Sequence, residues 1–265
     1  MHLQVARGIR GDTSSCTPGS VREFSGTIMA VLKEALKDSC CNKGHHFFFM
    51  ARTPNTLSLF PESDFPSEID VLYHESLARK SGYRLIAGVD EAGRGPLAGP
   101  VVAAAVILPE GETVEGVRDS KAMTEKAREE AFFRINETAL AVGVGVVSAK
   151  AIDESNILKA SLDAMKQAVV SLSPFPDFLL VDGTYPVSMP TAQRCLVKGD
   201  RISLSVSAAS VVAKVYRDRI MRSYHALYPR YGFLENKGYG TAGHLAAIRA
   251  HGACPIHRLT FRGVA

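Results

Sequence analysis

Three short apolar runs in this chain each lead into a carboxylate, and this pattern constrains the fold more than any other feature. Leu85-Ile86-Ala87-Gly88-Val89 runs into Asp90-Glu91, with Gly93-Arg94-Gly95-Pro96 close behind. Phe178-Leu179-Leu180-Val181 ends at Asp182-Gly183, and Arg194–Val197 leads to Lys198-Gly199-Asp200. Apolar runs this short, bounded by polar and glycine-containing turns, read as strands. A strand sends successive side chains to opposite faces, so Asp90 and Glu91 cannot both be ordinary core residues. A buried carboxylate without a partner costs several kcal/mol. Carboxylates that converge repel one another unless a cation neutralises them. A set of oxygen donors alone favours Mg²⁺ or Mn²⁺ over zinc. In open α/β sheets, sites gather at the carboxyl ends of strands. The competing reading at each position is a turn cap, since Asp182-Gly183 is a common turn pair.

The remaining periodicity organises the chain. Residues 1–82 read as an N-terminal extension and residues 83–265 as the folded domain. Gly11 to Gly26 is rich in Ser, Thr, Gly and Pro, which favours loop or disorder. Short helices are expected over Thr27–Asp38 and over Ile69–Lys80, the latter with Leu72 and Leu77 on its apolar side. Met50 is an alternative translation start, given the incoherent composition before it. Beyond Tyr83, strands are expected at Arg84–Val89, Pro100–Leu108, Ala139–Val147, Phe178–Val181 and Arg194–Val197. Thr124 caps a helix to about Thr138. Helices follow over Ile152–Ser171, Ser207–Tyr228 and Thr241–His251. Three early strands in a meander, then strands alternating with helices, indicate a mixed α/β sheet.

Composition excludes several classes. No apolar run approaches the ~20 residues of a membrane span, and the N-terminus lacks the apolar core of a secretory signal. The five cysteines are scattered, with no CxxC pair, so a reducing, cytoplasmic setting is expected. Cys40-Cys41 beside His45-His46 departs from zinc-ligand spacing. Gly99 falls one residue late for a dinucleotide-binding G-x-G-x-x-G, and two acids before the loop would repel a pyrophosphate. From Arg194 onward there are 12 Lys and Arg against 3 Asp and Glu, while the rest of the chain holds 19 against 24. That asymmetry reads either as a surface for a polyanion or as a solvated helical face.

Six segments occur in a fixed order: Gly88-Val89-Asp90-Glu91-Ala92-Gly93-Arg94-Gly95-Pro96, Asp119-Ser120-Lys121, Val181-Asp182-Gly183, Lys198-Gly199-Asp200, Ser207 to Asp218, and Lys237-Gly238-Tyr239-Gly240-Thr241. Together they resemble bacterial ribonuclease HII, a type 2 ribonuclease H, from about Tyr83 to the C-terminus. The resemblance implies an RNase H-like mixed five-stranded sheet flanked by helices, with a helical C-terminal part. It implies an endoribonuclease acting on RNA–DNA hybrids and on the 5′ side of single ribonucleotides in duplex DNA. Cleavage by two-metal hydrolysis, with Mn²⁺ or Mg²⁺, would leave 3′-hydroxyl and 5′-phosphate ends, and the role would be ribonucleotide removal from DNA. By position, Asp90, Glu91, Asp182 and Asp200 match the family's acidic metal-binding set, whose fourth carboxylate varies in place among members.

Gly93, Arg94 and Gly95 match the loop that senses the ribonucleotide 2′-hydroxyl, the group that distinguishes RNA from DNA. Tyr239 matches a junction-reading tyrosine; from spacing alone it is a half-buried tyrosine between turn glycines. Lys121 and Lys198 are phosphate contacts or solvated surface lysines. Asp218 reads as a helical ion pair. His225, His244, His251 and His257 read as surface or capping residues without a role in the chemistry. One site per chain suggests that a monomer suffices.

Overall fold

A computed structural model describes residues 70–117 and 123–264. The expectations for the first 69 residues, including Thr27–Asp38, the Cys40-Cys41 cluster and Met50, lie outside the described residues, as does Lys121.

The sheet is built where the apolar runs are. Strands β1 (Ile86–Ala92), β2 (Val101–Ile107), β3 (Ala141–Val147), β4 (Phe178–Asp182) and β5 (Ala192–Leu196) form one sheet in the order β3-β2-β1-β4-β5. β1, β2 and β3 pair antiparallel as a meander, whereas β1–β4 and β4–β5 pair parallel. β2 is buried at every residue, which explains why its sequence is uniformly apolar rather than alternating. Its odd residues Val101, Ala103, Ala105 and Ile107 join one core, and its even residues Ala104 and Val106 join the other. A fully buried Val or Ile contributes roughly 1.5–3 kcal/mol.

Helices cover both faces. On one face lie α3 (Ala149–Glu154) and α4 (Ile157–Val170); on the other lie α2 (Glu125–Thr138) and the long α6 (Leu204–Leu227). Thr124 caps α2 as expected, accepting from Ala127 N. The expected helix over Ile152–Ser171 is two helices. Ser155 breaks it, and Asn156 starts the second by accepting from Lys159 N at 2.9 Å. Asn is among the best N-caps, so the break follows from a residue whose signal the apolar periodicity masked.

Two close approaches fix helices to the sheet. A Cβ on Gly88 of β1 would lie 2.0 Å from the Ser205 carbonyl carbon of α6. A Cβ on Gly145 of β3 would lie 2.0 Å from the Ala164 carbonyl oxygen of α4. Side chains are thus excluded at both crossings, and the helix backbones sit directly on the strands.

The helix expected over Ile69–Lys80 is shorter, α1 (Tyr73–Lys80), and its buried side is not the expected one. Leu72 packs partly against the core, but Leu77 is exposed and Glu75 is buried. Glu75 Oε1 accepts from Ser203 Oγ at 2.7 Å, Ser205 Oγ at 2.7 Å and Ser205 N at 3.0 Å. A polar cluster at the start of α6 therefore docks this helix, which apolar periodicity does not reveal.

The C-terminal part is helical: a short α5 (Gly199–Ile202), α6, α7 (Phe233–Asn236) and α8 (Ala242–His251). Leu97, Ala98 and Val102 pack there with Ile220, Met221, Tyr224, Phe233 and Ile248. No helix among the described residues is long and apolar enough to cross a membrane.

Candidate active site

β1 extends through the carboxylate pair rather than stopping before it, so Asp90 and Glu91 are strand residues. Val89 pairs with Val181 across the parallel β1–β4 ladder, which places Asp90 beside Asp182 one step further on. Neighbouring strands lie about 4.8 Å apart, so the two carboxylates belong to one locality although they stand 92 positions apart in the chain. Val89 and Val181 point to the α4 face. Asp90 and Asp182 therefore point to the α6 face, where Ser210 of α6 bonds to the Asp90 carboxylate.

Asp90 is buried, and its carboxyl is held well above the usual carboxylate range. Desolvation is the largest cause, followed by the charges of Glu91 and Asp182; the bonds from Ser210 and the Glu91 amide act in the opposite direction. A buried acid whose carboxyl is raised by two neighbouring carboxylates marks a site with unfulfilled demand for positive charge.

Part of that demand is met within the protein. Arg94 Nη1 stands 3.2 Å from Glu91 Oε1, and Gly199 N donates to Asp182 Oδ1 at 2.7 Å. Among the described residues, no three His, Cys, Asp or Glu side chains form a closed ligand cluster. The donor chemistry nevertheless fits a hard divalent ion, because the side chains acting on Asp90, those of Glu91, Asp182 and Ser210, offer carboxylate or hydroxyl oxygens.

Asp200 is not at a strand end. β5 stops at Leu196, the chain turns through Lys198 in a left-handed conformation (φ 59°), and Asp200 lies buried in α5. Its neighbour Gly199 supplies the hydrogen bond to Asp182, so the turn carrying Asp200 is tied to the acidic pair. Lys198 itself is exposed. Asp218 sits away from this cluster in buried ion pairs with Lys214 and Arg128.

The glycine loop and Tyr239 come together. Gly93 adopts φ +101°, and a Cβ there would meet Arg217 Nε at 2.1 Å, so the fold itself requires this glycine. Gly95 is exposed, and among the described residues beyond its chain neighbours only Tyr239 Cε1 comes within 4 Å, 3.9 Å from where its Cβ would stand. Arg94 is exposed and Tyr239 is 45% exposed, leaving bare backbone and an aromatic face side by side at the surface.

Two arginines that sequence reasoning missed build this arrangement. Arg258 is fully buried and donates to the carbonyls of Gly93 (2.6 Å), Arg94 (3.0 Å), Pro96 (2.8 Å) and Gly99 (3.0 Å). Arg217, also fully buried, donates to Pro100, Ala98 and Lys237 carbonyls and lies 5.9 Å from the Tyr239 ring. Burial lowers both guanidinium pKa values, to about 9 for Arg258 and about 10 for Arg217. In the sequence these arginines were indistinguishable from the basic surplus of the C-terminal third.

The histidine expectation is corrected for two residues. His244 and His257 are buried and face each other, Nε2 to Nε2, at 3.0 Å.

Comparison with known proteins agrees with the fold. The family model described as Ribonuclease HII matches residues 87–264. The chain is 57% identical over 209 residues to a ribonuclease HII of Geobacter sulfurreducens, covering 79% of this chain and 95% of that one. Among solved structures, ribonuclease H2 from Pyrococcus horikoshii OT3 superimposes with a TM-score of 0.59 at 28% identity, covering 68% of this chain and 94% of that one. The ribonuclease HII of Archaeoglobus fulgidus, solved in complex with PCNA, gives 0.57 at 25% identity, covering 67% and 95%.

Proposed function

Because the chain belongs to the ribonuclease HII family, whose members are metal-dependent RNA-cleaving endonucleases of the type 2 ribonuclease H class, we propose that it cuts RNA within RNA–DNA hybrids and on the 5′ side of single ribonucleotides embedded in duplex DNA. In this reading it removes ribonucleotides from DNA, leaving 3′-hydroxyl and 5′-phosphate ends, and one chain carries the full set of groups. The observation that carries it is the side-by-side placement of Asp90 and Asp182 on parallel strands, with Glu91 beside them.

Asp90, Glu91, Asp182 and Asp200 would hold the divalent ions, Mg²⁺ or Mn²⁺. Such ions, when bound, activate water and stabilise the departing oxygen in phosphodiester cleavage. The protein's own part is placement. Arg94 keeps Glu91 paired until a stronger cation competes for it. The bare backbone around Gly95 accepts a ribose 2′-hydroxyl at close range, and Gly93 lets Arg217 support the loop from beneath. Tyr239 offers its ring to the next deoxyribose, where an extra hydroxyl would crowd it. Lys121 and Lys198 contact phosphates.

The test is a labelled duplex with one ribonucleotide, incubated with and without Mg²⁺ or Mn²⁺. Metal-dependent incision 5′ to that residue is expected. Asp90→Asn should reduce turnover by about a thousandfold or more, as loss of a principal catalytic group does, while leaving duplex binding within a few-fold. An enzyme that cuts only runs of ribonucleotides, or an Asp90→Asn variant with near-native turnover, would overturn the reading.

A further inference from the structure

The backbone that carries Tyr239 ends on a hydrogen-bonded chain whose proton positions can be deduced. Tyr239 O accepts from His244 Nδ1 at 2.9 Å and from Thr241 N at 2.8 Å. His244 Nε2 meets His257 Nε2 at 3.0 Å, and His257 Nδ1 meets Cys254 N at 2.9 Å. Both ends of the chain are fixed. A carbonyl has no hydrogen to give, so His244 Nδ1 carries one. A backbone amide cannot withdraw its hydrogen, so His257 Nδ1 presents its lone pair. A neutral His244 then accepts at Nε2, and His257 Nε2–H donates to it. One tautomer of each ring satisfies these three ring bonds, and only when both rings are neutral; the Cys254 carbonyl, 3.3 Å from His257 Nδ1, already accepts from His257 N at 2.9 Å.

We propose that the His257–His244 pair is a tautomer-locked relay that positions Tyr239, making these histidines positioning residues for ribonucleotide-junction recognition. The proposal rests on the substrate reading of Tyr239 given above. Three features support it. Both rings are at most 2% exposed, so no water competes for their bonds. Burial lowers the pKa of both, His257 to about 4, which keeps the pair neutral. The turn around Tyr239 has little other freedom, because Leu97 N donates to Gly238 O and Arg217 holds Lys237 O.

The groups that face the pair are accounted for. The Tyr231 ring lies 4.9 Å from His257, and its hydroxyl donates to Gly252 O. The Phe233 ring lies 5.4 Å from His244. The Cys254 thiol is 3.1 Å from His257 Nδ1, and burial pushes it up to about 11, so it stays neutral. Arg258 follows directly in the chain but turns its guanidinium to the 93–99 carbonyls. Protonating His244 would set two N–H groups against each other; protonating His257 would set one against the Cys254 amide. Either breaks the relay.

The experiment compares His244→Phe, His244→Asn and Tyr239→Ala on two substrates: a duplex with one ribonucleotide and a hybrid with an all-RNA strand. His244→Phe keeps ring bulk but loses the donor to Tyr239 O. It should lower kcat/KM on the single-ribonucleotide duplex by about tenfold relative to the hybrid, the effect of one lost positioning bond. His244→Asn restores an N–H near the Nδ1 position and should recover most of that preference. Equal effects of His244→Phe on both substrates, while Tyr239→Ala shifts the preference, would overturn the relay alone. A Tyr239→Ala enzyme with unchanged preference would instead overturn the reading of Tyr239. Should His244→Phe fail to fold, ¹⁵N imidazole spectra of the unmodified protein decide. An Nδ1–H tautomer for His244 and an Nε2–H tautomer for His257 at neutral pH are expected, and any other pair would sink the proposal.

Discussion

At the scale of single residues, the structure places its most consequential polar groups where water cannot reach them. His257 gives that statement a thermodynamic form. Its folded pKa lies near 4 against 6.5 for an exposed imidazole. Between those values the unfolded chain binds more protons than the folded one, so acid favours unfolding. The neutral ring's contribution is fully present above pH 6.5 and is lost as pH falls through about 4. Melting temperatures measured from pH 4 to 7 should therefore decline toward acid more steeply for the native protein than for His257→Gln, and parallel curves would disprove this account. Among the candidate site residues, Asp90, Glu91, Asp182 and Gly93 stand out in the sequence because local chemistry marks them: paired acids at a strand terminus, and glycines at a turn; Tyr239 is singled out only by the family resemblance, since its spacing alone reads as an ordinary tyrosine between turn glycines. Arg217, Arg258 and the histidine pair do not stand out. Their partners are backbone carbonyls or rings distant in sequence, and nothing in the flanking residues indicates which arginine will be interior.

At the scale of elements, β1 to β4 were legible because each is a short apolar run with turn residues at its ends; β5 (Ala192–Leu196) carries Gln193 and Arg194 and begins two residues before the expected Arg194–Val197. The meander of β1 to β3 followed from their spacing. The parallel β1–β4 ladder did not, since two strands and three helices separate its partners in the chain. Helix errors had two sources: Asn156, a cap hidden inside an apolar period, and Glu75, a carboxylate that docks α1 through serines. The glycine crossings allow a direct test of how strand and helix are joined. Gly88→Ala would force its methyl against the backbone of Ser205, which cannot move as a side chain would. It should cost about 3 kcal/mol or more, at the upper end of overpacking penalties. Gly243, in the first turn of α8, has no atom of the described residues outside its own helix turn within 4 Å of an added methyl. Gly243→Ala should instead stabilise by about 0.5–1 kcal/mol. Urea denaturation of the two variants should move their midpoints in opposite directions.

At the scale of the whole molecule, the basic surplus of the C-terminal third is divided between inside and outside. Arg217 and Arg258 serve the interior, whereas Lys198 stands exposed on the turn that leads from β5 toward Asp200. If Lys198 meets a phosphate, its removal changes how binding responds to ions released from the nucleic acid. Lys198→Ala should reduce the slope of log affinity against log salt by about 1 while weakening binding similarly across sequences. A titration series in potassium chloride checks this, and an unchanged slope would mark the lysine as solvated surface only. The Arg258 clamp has a further implication for biosynthesis. The loop of Gly93, Arg94 and Gly95 is braced by a side chain 164 positions later than Arg94. A nascent polypeptide that already contains Asp90, Glu91, Asp182 and Asp200 still lacks that brace, so the loop stays unclamped until synthesis has passed Arg258.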